Sequence, residues 1–118
     1  MLICIYISLD VPALVTNLKV SEVKARSVII SWSTPNPGHA QITSYKLQYW
    51  MSRISGQTVN IKSNVNQYEV IGFTPYTDYS SIVIIKAVSI VGEGQQARMD
   101  QTFKTKQAGK VFNKKLTR

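Results

Sequence analysis

The sequence predicts an all-β protein in which seven strands form two packed antiparallel sheets. Three observations point there. Short runs of alternating apolar and polar character recur with turn residues between them, and no stretch holds a 3.6-residue period. The run Phe73-Thr74-Pro75-Tyr76-Thr77-Asp78-Tyr79 precedes a long apolar segment and alternates an apolar residue, a proline, a threonine and a tyrosine. That pattern makes a tyrosine corner: the chain turns between sheets, and a phenol reaches back to a backbone group left unpaired by the turn. Upstream, Trp32 lies in the strand-like run Ser27-Val28-Ile29-Ile30-Ser31-Trp32-Ser33.

The strands follow in order. Leu18 and Val20 mark the first. In the second, Val28, Ile30 and Trp32 point one way and Ile29 and Ser31 the other. Thr34-Pro35-Asn36-Pro37-Gly38 then interrupts the chain with residues that cannot continue a ladder. The third strand, Tyr45 to Trp50, turns Tyr45, Leu47 and Tyr49 to one face. Ser52 to Gln57 reads as a turn into a short fourth strand near Val59 and Ile61. Tyr68 and Val70 belong to the fifth. The sixth runs from Tyr79 to about Ser89 and the seventh from Ala97 to Thr105. The expected sheets place strands one, two and five against strands four, three, six and seven.

Composition sets outer bounds. A chain of 118 residues with 44% apolar residues is large enough to bury one core without metal or disulfide. Cys4 is the only cysteine, so no intrachain disulfide forms. No apolar run approaches the length of a transmembrane helix. Met1 to Leu9 is apolar but lacks a basic segment before it and a small-residue cleavage site after it. It reads as a lead-in or fragment boundary over residues 1–11, with a signal remnant as the other reading. The net charge of +8 is concentrated late: Lys104, Lys106, Lys110, Lys114, Lys115 and Arg118 face no acid, while residues 1–103 carry a net of only +2. This distribution argues against a nucleic-acid-binding face on the body and marks 107–118 as a basic tail or linker.

The corner, Trp32 and the closing segment Lys86-Ala87-Val88-Ser89-Ile90-Val91-Gly92-Glu93-Gly94 together resemble a fibronectin type III domain across residues 12–106. The resemblance implies an immunoglobulin-like sandwich. Its structural positions fall on Trp32, Tyr45, Phe73, Pro75, Thr77, Tyr79, Ala87, Gly92 and Gly94, with Phe73 where the family usually has leucine. Asn17-Leu18-Lys19-Val20, Arg26-Ser27-Val28 and Ile42 to Tyr49 look most like modules of cell-adhesion receptors such as the Down syndrome cell adhesion molecule group. Muscle proteins of the titin type share much of the pattern. One departure stands out: Tyr79 to Ala87 is eight residues where the family usually has six. Two extra residues preserve the in-out alternation, so either the strand is longer by one pleat or a bulge lies near Ser80-Ser81.

Catalysis finds no support. His39 is the sole histidine and sits beside Gly38 in a turn, without a positioned partner evident in the sequence. The six acids show no metal-ligand spacing, and Gly92-Glu93-Gly94 is a hairpin turn, not a phosphate loop. No cofactor is expected. The integrin-binding Arg-Gly-Asp that some family members carry and the tryptophan box of cytokine receptors are both missing, as is any Asn-x-Ser/Thr sequon.

Contact chemistry has two candidate sites. Alternation sends Trp50, Ile82 and Ile84 outward, where they form an apolar patch with Lys86 as a cationic edge. The blander reading has Trp50 folding over the strand edge with a cation–π contact to a lysine. The second site is polyanion binding, heparan sulfate above all, through Lys104, Lys106, Lys110, Lys114, Lys115 and Arg118. The expected function is a non-catalytic interaction and spacer module of a cell-surface adhesion or receptor protein. Its partners would be proteins, a second copy among them, and neighbouring domains in tandem. An intracellular muscle-type scaffold module is the first rival reading.

Overall fold

The structure is a computed structural model that describes residues 9–108. Its seven strands are β1 (Thr16–Val23), β2 (Ser27–Ser33), β3 (Ile42–Met51), β4 (Ile54–Lys62), β5 (Gln67–Ile71), β6 (Asp78–Ser89) and β7 (Ala97–Lys104). One sheet has the order β1-β2-β5 and the other β4-β3-β6-β7, the arrangement that the family resemblance implies. All strand pairs are antiparallel.

The core lies between the sheets because each strand buries its alternate residues. Val28, Ile30 and Trp32 from β2 meet Tyr45, Leu47 and Tyr49 from β3 and Val83, Ile85 and Ala87 from β6. Trp32 stands edge-on to Tyr45, ring centroids 5.4 Å apart, the arrangement that ring quadrupoles favour. Phe73 packs edge-on to Tyr79 at 4.7 Å, and Tyr79 stacks on Phe103 at 5.7 Å. These aromatics close the end of the sandwich where β5 crosses to β6.

The corner has the expected geometry. The Tyr79 hydroxyl accepts a hydrogen bond from the Thr74 N–H at 2.8 Å. A second anchor was not legible in the sequence. The buried Thr105 hydroxyl donates to the Thr74 carbonyl at 2.6 Å and accepts from the Thr77 N–H at 2.9 Å. The Thr77 hydroxyl in turn donates to the Pro75 carbonyl at 2.9 Å. The turn's backbone polar groups are thus bonded by side chains, as burial requires.

Two elements differ in detail from expectation. The long β6 has no bulge at Ser80-Ser81: its register with β7 is continuous from Asp78↔Lys104 to Ile85↔Ala97. The extra residues lengthen the strand by one pleat, and the two-residue period carries Tyr79, Ser81, Val83, Ile85 and Ala87 inward. The turn after β3 is shorter than Ser52 to Gln57. β4 already begins at Ile54, and Arg53 supplies the left-handed residue with φ 67°. Gly56, which looked like a turn residue, lies inside the strand.

Candidate functional site

The outward face of β4-β3-β6-β7 is built by strict alternation opposite the core. Trp50 and Ile82 are direct cross-strand partners, as are Gln48 with Ile84 and Lys46 with Lys86. On the far side Ile82 faces Asp100 and Ile84 faces Arg98. Trp50 remains 44% exposed, while Ile82 and Ile84 are half-buried. The register brings these three residues together on neighbouring strands, about 4.8 Å apart.

Trp50 owes its pose to Gly56. A β-carbon built on Gly56 would overlap Cδ1 and Nε1 of the indole, so the ring lies against a strand position that has no side chain. The register shift between Tyr49 and Met51 in the β3–β4 pairing places Gly56 there. The indole does fold toward the sheet edge. Yet among the described residues the cation–π contacts are Arg53 over Tyr79 and Lys104 over Tyr76, and none involves Trp50.

The charges around the apolar stripe are paired. Lys46 and Lys86, like charges directly opposite each other, both reach Glu93, at 2.6 Å and 2.8 Å. Their ammonium groups hold the Glu93 carboxyl down, from its ordinary 4.5 to about 2, by hydrogen bonding to the ionised form. Lys86 is therefore not a free cationic edge: Glu93 answers its charge. Arg98 and Asp100 form the other border, Nε to Oδ1 at 2.8 Å, which lowers the Asp100 carboxyl below its usual range. Trp50, Ile82 and Ile84 thus form an apolar stripe between two ion-paired borders.

Sequence reasoning missed Glu93, Arg98 and Asp100. Arg98 and Asp100 had a usable signal, since an i, i+2 pair in the last strand must share a face. Glu93 had none. It reaches the lysines because the hairpin closes early, with reciprocal Ser89–Gly92 backbone bonds of 3.0 and 3.1 Å and a Val88↔Glu93 bridge. Gly94 then donates to the Ala87 carbonyl at 2.7 Å, and a β-carbon on it would strike the Pro12 carbonyl.

The remaining predicted residues lie elsewhere. His39 is exposed, and its Nδ1 accepts the Asp10 N–H at 2.6 Å. Lys104 and Lys106 are built into the folded body. Lys104 ends β7, and the Lys106 N–H and carbonyl bond Lys24 and Tyr76. Lys110, Lys114, Lys115 and Arg118 lie outside the described residues, as do Cys4 and the rest of 1–8. Among the described residues there is no cluster of His, Cys, Asp or Glu able to hold a metal. No described helix is long and apolar enough to cross a membrane.

Comparison with known proteins adds the following. Residues 13–102 match the family model for the Fibronectin type III domain. Neogenin of Homo sapiens is 28% identical over 75 residues, 64% of this chain and 5% of that protein. Cell adhesion molecule Dscam2 of Drosophila melanogaster is 29% identical over 100 residues, 81% of this chain and 5% of that protein. The chain thus spans only 5% of the length of either relative. Among solved structures, domains from titin superpose with a TM-score of 0.65 at 23% identity, covering 84% of this chain and 34% of that one. The chicken CNTN1 FN1-FN3 domains give 0.60 at 22% identity, covering 80% and 33%. At such identities these structures show the fold alone.

Proposed function

The chain belongs to the fibronectin type III family, and on that premise we propose that it is a non-catalytic protein-interaction module of a cell-surface adhesion receptor. In this reading residues 12–106 are the module, joined in tandem to neighbours and followed by a basic linker over 107–118. Its contact surface is the outward stripe of Trp50, Ile82 and Ile84.

The single observation that carries the proposal is the exposed Trp50, 44% accessible and directly opposite Ile82. Large aromatics that a partner can desolvate are enriched among residues that dominate binding energy. The paired borders favour this use. Lys46, Lys86 and Glu93 on one side and Arg98 and Asp100 on the other already answer one another. A partner covering the stripe meets few unpaired charges to strip of water. The likeness to Cell adhesion molecule Dscam2 supports the cellular setting.

Bead-bound protein tested for adhesion to cells, with a thermal melt run beside it, examines this reading. Trp50→Ser should leave the melt nearly unchanged and reduce bead adhesion. Unchanged adhesion would remove this face from the function. A large loss of stability would make Trp50 a core residue instead.

A further inference from the structure

We propose that Leu9 to Val11 form a strap that neutral His39 latches onto the end of the sandwich, and that protonating the imidazole releases it. The chain then enters the module through a fixed joint at neutral pH and a hinged one in mild acid. The latch uses neither the Trp50 face nor its ion-paired borders, and it stands independently of the function proposed above.

Two sets of contacts seat the segment that precedes β1. The inner set does not titrate. Pro12 is fully buried, and the Ala13 N–H donates to the Asn36 carbonyl at 2.9 Å. The Pro12 carbonyl passes so close to Gly94 that a β-carbon there would strike it. The outer set centres on His39, in the turn between β2 and β3. The Asp10 N–H donates to His39 Nδ1 at 2.6 Å, and the His39 N–H donates back to the Asp10 carbonyl at 3.2 Å. Gly38 permits this approach, since a β-carbon on it would overlap the carbonyl oxygens of Asp10 and Val11.

Little else holds the outer part. Leu9 is 56% exposed and Val11 38%. Among the described residues, the two Asp10–His39 bonds are the only hydrogen bonds that Leu9 to Val11 make. A segment with so little buried apolar surface opens locally at small cost. Its seating therefore rests on the polar pair, and Pro12 is the pivot if that pair is lost.

Protonation reverses the outer contact. A backbone N–H only donates, so Nδ1 is the bare nitrogen and the neutral ring carries its hydrogen on Nε2. A proton added to this ring goes to Nδ1, and the acceptor becomes a donor facing a donor. Among the described residues, the charged group within ion-pair distance of the ring is the Asp10 carboxylate, its Oδ2 3.8 Å from Nδ1. The hairpin between β6 and β7 carries Glu93, but Lys46 and Lys86 already hold it. The protonated ring therefore turns from the Asp10 backbone to the Asp10 carboxylate. That carboxylate is 72% exposed, and a pair so open to water restrains the strap weakly. His39 is the only histidine in the chain, and imidazole is the side chain that ordinarily changes charge between about pH 5 and pH 8.

Heteronuclear NMR of the full chain, titrated from about pH 8 to about pH 5, tests this. The Asp10 amide proton should lose its low-field, hydrogen-bonded position with the same midpoint as the His39 ring protons. The heteronuclear NOEs of Leu9 to Val11 should fall over that range, while the Ala13 amide stays in place. His39→Asn, whose amide oxygen keeps an acceptor near the Nδ1 position but does not titrate, should hold the strap throughout. His39→Ala should show the released strap at both ends of the range. An Asp10 amide that ignores the titration of His39, an equal change in His39→Asn, a strap still seated in His39→Ala, or an Ala13 amide that moves as far as that of Asp10 would overturn the proposal.

Discussion

The phenol of Tyr79 accepts the Thr74 N–H across 2.8 Å, tying the start of β6 to the turn that precedes it. Removing that oxygen leaves a part-buried donor without a partner. Tyr79→Phe is expected to destabilise by about 1–3 kcal/mol, read as a lowered midpoint in a urea melt with unchanged slope. Thr105→Val should cost a comparable amount, because its hydroxyl satisfies Thr74 and Thr77 from the opposite side. An unmoved midpoint in both variants would mean that these bonds do not hold the corner.

Trp32 should prove more costly to truncate than to trim. Trp32→Ala opens a cavity between the sheets and should lose about 3–5 kcal/mol. Trp32→Phe keeps an aromatic against Tyr45 and removes Nε1, which is buried with no hydrogen-bond partner among the described residues. Its midpoint should fall less than half as far as that of Trp32→Ala. Equal losses would show that the indole's full size, not its ring contact, is what the core requires.

Gly56 and Trp50 give a test of local geometry. A β-carbon at Gly56 overlaps the indole, which is the movable end of a side chain. Gly56→Ala should swing Trp50 off β4 toward solvent with little change in the melt. The expected signature is a red shift and stronger quenching of tryptophan fluorescence, with Trp32 as a buried internal reference. An unshifted spectrum would place the ring elsewhere.

Stability should depend on acid through Glu93. Its folded carboxyl titrates at about 2, against 4.5 ordinarily, because Lys46 and Lys86 hydrogen-bond the ionised form. A lowered folded value means that the contribution is complete above pH 4.5 and is lost as pH falls toward 2. Glu69 and Asp100 are shifted in the same direction, so the Glu93 share is isolated by comparison with Glu93→Gln. That variant should show a shallower fall in melting temperature over this window at low salt. Parallel curves would mean the ion pairs do not couple to folding.

The basic residues separate by a simple truncation. Heparin retention of the full chain should exceed that of residues 1–108, and the difference should vanish at high salt. Any retention left in 1–108 belongs to cations of the folded body such as Lys104 and Lys106. Equal retention of both would remove the tail from polyanion binding.

The sequence by itself determined the seven strands and the inward set, because a two-residue period leaves a strand only one way to bury its apolar side, while the strand order followed from the family resemblance. Trp32, Tyr45, Tyr79 and Ala87 could be placed from alternation and the corner motif alone. It also determined that Trp50, Ile82 and Ile84 share an outward face, since parity survives the longer β6. Only the tertiary structure decided what surrounds them. Glu93 meets Lys46 and Lys86 because a hairpin closes at Ser89–Gly92. Gly56 receives the Trp50 ring because a register shift brings β4 beneath it. Thr105 bonds a turn some thirty residues earlier because β7 ends beside it. Such contacts depend on register and loop closure between distant segments, which local pattern does not encode.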